Sequence, residues 1–223
     1  ALMKRASLLH SKEISCMVYC EADQCIITSS WDRSWKVLDE NAGNTLPVLR
    51  TVNMAHDYDI STVAHSHSLN LVATGDSNGV VKIWDFQFGT HEGTCCELNE
   101  EGKGVDITCM TFLEPYPLLA VADGAGHLYL YTVRPWYKSY RLARSTFNVI
   151  TDQFGQSTTW PITTMKYKYD SNGGEIISEG ITSGRCLLVV GDENGNLGVY
   201  DAMPVVRACG LTAIRDKDMP TLR

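Results

Sequence analysis

The chain has 223 residues, 44% of them hydrophobic and 20% charged, with a formal net charge of −7. That is enough globular sequence to bury the core of one or two ordinary domains, and no stretch approaches the roughly 18 uninterrupted apolar residues of a membrane span. The acidic balance argues against nucleic acid and anionic lipid, so neither a nucleic-acid nor a membrane partner is expected.

The first residues, Ala1-Leu2-Met3-Lys4-Arg5, have no apolar run behind them and do not read as a signal peptide. They do not begin with Met, and the stretch is expected to be cut from a longer chain. Ile14 opens an alternating segment to Tyr19, with Ile14, Cys16 and Val18 on one face and Met17 and Tyr19 on the other. Apolar residues on both faces predict a strand inside a stack of sheets. A hairpin follows over 25–39. The same order then recurs: an alternating segment from Ile60 and a hairpin over 71–85, another pair from Ile107 and over 118–132, and a last pair from Ile162 and over 187–201. The leading isoleucines are spaced by 46, 47 and 55 residues.

The clearest hairpin is 71–85, where Asp76-Ser77-Asn78-Gly79 separates Leu71–Thr74 from Val80–Trp84. Asn and Gly tolerate the positive φ of a tight turn. The turns share an acid and a glycine: Asp76 and Gly79, Asp123 and Gly126, Asp192 and Gly195. Each acid is expected to cap its hairpin in an Asx-type turn. Further strands are expected over 47–54, 93–99, 138–148 and 204–210. Residues 149–161 read as a connector and 170–184 as a surface insert; one helical turn is allowed near 213–218.

Four strands in about 46 residues is the period of a propeller blade. With four copies in register, the chain resembles the WD-repeat β-propeller family over residues 1–203. The fold class that follows is all-β: four blades of a larger, about seven-bladed ring. The boundaries read 1–9 for an outer strand of a preceding blade, 10–55, 56–102 and 103–148 for three blades, 149–161 for the connector, 162–210 for the fourth blade, and 211–223 for a tail. In this family a polar tetrad joins His, Ser or Thr, Asp and Trp in a buried hydrogen-bond chain. The first copy offers His10, Thr28 and Asp32, with Leu38 replacing Trp. The second offers His56, Thr74 and Trp84, with Asn78 where Asp is usual. The third, with Lys103, Val121 and Ala125, and the fourth, with Thr158, Val190 and Asn194, lack it. The stretch Thr74–Phe86 is similar to the large WD-repeat proteins of motile cilia and flagella, including those with EF-hand segments.

Reactive constellations are sparse. Cys16, Cys109 and Cys186 fall inside expected strands and Cys95-Cys96 are adjacent, so the eight cysteines read as structural thiols of a reducing, intracellular and cytoplasmic setting. His65 and His67 share a strand face, but no Cys or carboxylate nearby completes a metal set, and Cys16, Cys20 and Cys25 match no zinc spacing. His56-Asp57 with Asp59 lacks a nucleophile. No phosphate-cradling glycine loop precedes a helix. No catalytic residue, metal or cofactor is expected.

The sharpest local bias is electrostatic. No Asp or Glu occurs from Gly124 to Thr151, where Arg134, Lys138, Arg141 and Arg144 interleave with Trp136, Tyr137 and Tyr140. This strip is either a solvated outer strand or a docking edge for an acidic protein. The expected function is a non-catalytic scaffold in a multi-subunit complex. The ciliary resemblance implies tubulin or axonemal partners and an axonemal location. Two alternatives are carried: an adaptor recognising a peptide or modified tail, and a propeller-based hydrolase, for which converging groups are missing.

Overall fold

The computed structural model describes residues 4–96, 104–134, 137–146, 150–151, 157–170, 176–177, 181–182 and 184–208. They form two compact units, Ala1–Ile107 and Thr108–Arg223. In chain order the strands are β1 (Ile14–Cys20), β2 (Cys25–Ser30), β3 (Trp35–Asp39), β4 (Val48–Val52), β5 (Ile60–Ser66), β6 (Leu71–Asp76), β7 (Val80–Asp85) and β8 (His91–Cys96). Then come β9 (Ile107–Phe112), β10 (Leu118–Asp123), β11 (His127–Arg134), β12 (Tyr137–Thr146), β13 (Ile150–Thr151) and β14 (Ser157–Thr158). The chain closes with β15 (Ile162–Asp170), β16 (Ile176–Ile177), β17 (Ile181–Thr182), β18 (Arg185–Asp192), β19 (Leu197–Asp201) and helix α1 (Met203–Ala208).

Within each sheet, neighbouring strands pair antiparallel. Three sheets are four-stranded, β1-β2-β3-β4, β5-β6-β7-β8 and β9-β10-β11-β12, and the fourth is β15-β18-β19. The first strand bulges at the same place in three sheets, at Ile14/Cys16, Ile60/Thr62 and Ile162/Thr164. A hydroxyl follows the leading isoleucine each time and bonds the second strand: Ser15 to Ser29 Oγ at 3.1 Å, Ser61 to Gly75 O at 3.1 Å and Thr163 to Gly191 O at 3.4 Å. Thr108 makes the equivalent bond to Ala122 O at 3.2 Å.

The first unit buries Cys20, Cys25, Ile27, Trp35 and Val37 of one sheet with Ile60, Val63, Val72 and Trp84 of the next. Trp35 and Trp84 meet with ring centroids 6.1 Å apart. Among the described residues the apolar side chains of β1 are covered unevenly. Cys16 and Val18 pack on this core, whereas Met17 is 68% and Tyr19 56% exposed. The expectation of burial on both faces is corrected accordingly. The second unit buries Leu113, Leu118, Ala120, Leu128 and Leu130 with Ile162, Met165, Leu188 and Val190.

One element differs in kind. Where a strand was expected over 204–210, the chain turns into α1. Pro204 has no N–H to give a sheet ladder but suits the first turn of a helix. Asp201 Oδ1 accepts Met203 N at 2.9 Å, and Met203 and Val206 face the core. The expected turn at 213–218 lies outside the described residues. The insert over 170–184 carries the small hairpin β16-β17, and the connector over 149–161 carries β13-β14.

Candidate functional site

Two buried hydrogen-bond chains brace one end of the first unit. In the second sheet, Trp84 Nε1–H donates to Thr74 Oγ1 at 2.7 Å, and Thr74 donates to His56 Nε2 at 2.7 Å. His56 Nδ1–H then donates to Asp76 Oδ2 at 2.9 Å. The Asp76 carboxylate can only accept, so Nδ1 carries the proton, and Nε2 of the neutral imidazole accepts from Thr74. The acid here is Asp76, and this corrects the assignment of Asn78. Asn78 supplies a backbone N–H to Asp76 Oδ1 at 2.9 Å, and Val80 supplies a second at 2.9 Å.

In the first sheet Thr28 meets His10 Nε2 at 2.9 Å, and His10 Nδ1 reaches Asp32 Oδ2 and Ser34 Oγ, both at 3.0 Å. Leu38 leaves this chain without a tryptophan donor. Burial holds His10 below its ordinary value in spite of Asp32. Burial alone would push the Asp32 carboxyl up. Hydrogen bonds from Ser34, Ser11 N and His10 reverse that and hold it at about 2.

The second unit rebuilds the brace from its own hairpins. Asp123 Oδ1 accepts Ala125 N and His127 N, and Oδ2 meets His127 Nδ1 at 3.0 Å and Tyr129 OH at 3.1 Å. Asp192 Oδ1 accepts Asn194 N and Asn196 N, with Asn196 Nδ2 on Oδ2 at 2.9 Å. His127, Tyr129 and Asn196 escaped the sequence reading, although each stands a short, fixed distance after the shared acid. Gly79, Gly126 and Gly195 all have φ near +80°.

On these braced turns of the first unit lies an open groove of about 460 Å³. Ser11 and Lys12 precede β1, Trp31 and Arg33 sit in the β2–β3 turn, and Asp57, Tyr58 and Asp59 precede β5. Trp31 is 45% and Tyr58 51% exposed. Lys12 Nζ lies 3.4 Å from Asp59, and Arg33 reaches Asp57 O at 3.4 Å. Main-chain bonds pin the turns: Trp31 N to Glu13 O at 3.1 Å and Ser77 N to Asp59 O at 3.0 Å. Aromatic faces beside both signs of charge on rigid turns can hold a protein segment. Asp57 and Asp59 stand here, and His56 is buried in its brace.

His65 does have a thiol and a carboxylate beside it, against the sequence reading. Cys20 Sγ lies 2.9 Å from its Nδ1, and Asp23 Oδ2 lies 3.6 Å from Nε2 and 3.0 Å from His67 Nδ1. These come from the neighbouring sheet, 45 residues away in sequence for Cys20. Among the described residues no group of three such side chains is arranged to hold a metal ion. Of the basic strip, Arg134 ends β11 and Tyr137, Lys138, Tyr140, Arg141 and Arg144 lie on β12, the outer strand of its sheet. Their side chains, and all of Trp136, lie outside the described residues.

The family model of the WD domain, G-beta repeat (WD40), matches residues 5–39 and 47–85. A WD repeat-containing protein 55 homolog of Dictyostelium discoideum is 34% identical over 107 residues, 48% of this chain and 23% of that protein. A guanine nucleotide-binding protein subunit beta-like protein of Encephalitozoon cuniculi is 26% identical over 148 residues, 58% of this chain and 44% of that one. The chain thus spans less than half the length of these relatives. The β-propeller domain of Myceliophteria thermophila Cps50 (Swd1) superposes with a TM-score of 0.60 at 14% identity, over 88% of this chain and 54% of that one. The computationally designed Ika4 protein does so with a TM-score of 0.54 at 17% identity, over 88% of this chain and 95% of that one. At such identities the likeness speaks for fold alone: the sheets are blades of the β-propeller kind.

Proposed function

We propose that the chain is a non-catalytic protein-interaction scaffold, part of a larger propeller ring within a multi-subunit complex, and that the groove between Lys12 and Ser77 is a docking surface. The observation that carries this is the pair of exposed aromatic rings, Trp31 and Tyr58, in a groove whose turns are pinned by hydrogen bonds from Ser11 N to Asp32, Trp31 N to Glu13 O and Ser77 N to Asp59 O. Such preorganised anchors lose little entropy on binding. Asp57 and Asp59 beside those rings favour a cationic or apolar side chain on the incoming segment, the chemistry of a basic peptide tail. That favours the adaptor reading as the specific form of the scaffold. The basic strip over Arg134–Arg144 is the second docking edge, suited to an acidic protein. The ciliary setting, with tubulin or axonemal partners, rests on Thr74–Phe86 alone.

A photo-crosslinking amino acid at Tyr58, introduced into the protein in its own cells, tests the groove. The expected result is a small, reproducible set of crosslinked proteins that Trp31→Ala removes. The reading falls where Trp31→Ala leaves every native association unchanged.

A further inference from the structure

Beneath the β1–β2 loop of the first unit lies a group that the interaction surfaces do not use. Cys20 ends β1, Cys25 begins β2, and the two are direct cross-strand partners. Both are buried, at 6% and 1% exposure, while Glu21, Ala22 and Gln24 of the loop above them are exposed. His65 of β5 brings Nδ1 to 2.9 Å from Cys20 Sγ, and the Asp23 carboxylate lies 3.6 Å from its other nitrogen. Phe86 packs on the imidazole with centroids 4.6 Å apart.

We propose that Cys20 and Cys25 are a hydroperoxide-reactive dithiol, in which His65 takes the proton of Cys20 and Cys25 resolves the first oxidation product to a Cys20–Cys25 disulfide. A buried cysteine is ordinarily inert, and Cys186 shows what that looks like here. Its neighbours are Tyr167 and Met203, and burial pushes its thiol up. Cys20 has a base at hydrogen-bond distance, an acid beside that base and a second thiol across the ladder. Directly paired residues of an antiparallel ladder have Cα atoms about 4.5–5.5 Å apart, inside the range of about 4.4–6.8 Å that a disulfide spans.

The chemistry balances. The Cys20 thiolate attacks one peroxide oxygen; an S–O bond forms and the O–O bond breaks. The leaving hydroxide takes the proton held by His65 and departs as water, leaving a sulfenic acid. Cys25 sulfur then attacks Cys20 sulfur, the S–S bond forms, the S–O bond breaks, and the hydroxide leaves with the Cys25 proton as a second water. Two thiols lose two electrons, and the peroxide gains them.

Hydrogen peroxide at one equivalent, added to the reduced chain, is the test. Intact mass should fall by two hydrogens. Cleavage after glutamate separates 14–21 from 22–40, so the disulfide should appear as those two peptides joined, with fragmentation placing it on Cys20 rather than Cys16. In Cys25→Ser, dimedone should label Cys20. In His65→Gln, checked for its fold by circular dichroism, the oxidation rate should drop roughly tenfold or more. Absence of the joined peptide in the wild-type chain, joining through another cysteine, or an unchanged rate in His65→Gln would overturn the proposal.

Discussion

A single threonine hydroxyl decides how much each brace contributes. Thr74 stands between two buried partners, accepting from Trp84 and donating to His56. Thr74→Val keeps the shape but strands an indole N–H and an imidazole nitrogen, at a cost of about 3 kcal/mol. Thr28→Val strands only His10 Nε2 and should cost about 1–2 kcal/mol. Urea denaturation of the two variants, read by tryptophan fluorescence, should rank them in that order; equal losses would mean that Trp84 does not depend on Thr74. The same braces set an acid limit. Asp32 is held at about 2, below the ordinary aspartate value of about 3.9. The folded carboxyl binds its proton less readily than the unfolded one. Its stabilisation is therefore complete above about pH 4 and is lost as pH falls through about 2. Asp32→Asn should be less stable than wild type at neutral pH, and its stability should change less over that interval. A parallel pair of pH–stability curves would sink the assignment. The residue scale is also where sequence reasoning stops short. His10, Thr28 and Asp32 are legible once the repeats are set against the WD-repeat pattern they resemble. The exchange of Asn78 for Asp76 is not, because both lie in one turn and only the path of the backbone decides which side chain faces the histidine.

Strands were legible because their signals are local: alternation by twos, and turns that need particular residues. The helix α1 was misread because Val205 and Val206 favour a strand by side chain, while the missing N–H of Pro204 and the carboxylate of Asp201 outweigh them. The turn glycines carry a tertiary demand as well as a local one. Gly126 and Gly195 have the same backbone conformation, at φ +79° and +82°. A Cβ on Gly126 would lie 2.6 Å from the carbonyl oxygen of Trp160, and one on Gly195 would meet nothing within 4 Å. Alanine at either position incurs the strain of a positive φ, about 1–2 kcal/mol. Only Gly126→Ala must also move the connector, whose Thr159 bonds Ala125 O at 2.7 Å. Gly126→Ala should therefore lower the thermal midpoint clearly more than Gly195→Ala. Equal shifts would show that the connector yields freely.

What sequence could not convey at the scale of the whole chain is which apolar residues stay uncovered. Alternation put apolar side chains on both faces of β1, and a period-two pattern has no means of saying that Met17 and Tyr19 stay largely exposed while Cys16 and Val18 pack on the core. In the second unit, β19 repeats the situation. Leu197 and Val199 are 70% and 59% exposed, and both pair with β18, to Gly191 and Val189. Two large aliphatic side chains in a row on a sheet face form a patch that solvent does not favour. Threonine keeps the strand preference and removes the apolar surface. The double variant Leu197→Thr/Val199→Thr should leave the circular dichroism spectrum unchanged, lower the binding of a hydrophobic dye, and reduce concentration-dependent association in sedimentation velocity. Dye binding that stays at the wild-type level would mean that this face is already covered in solution, and Met17 and Tyr19 of β1 would then be the next positions to replace.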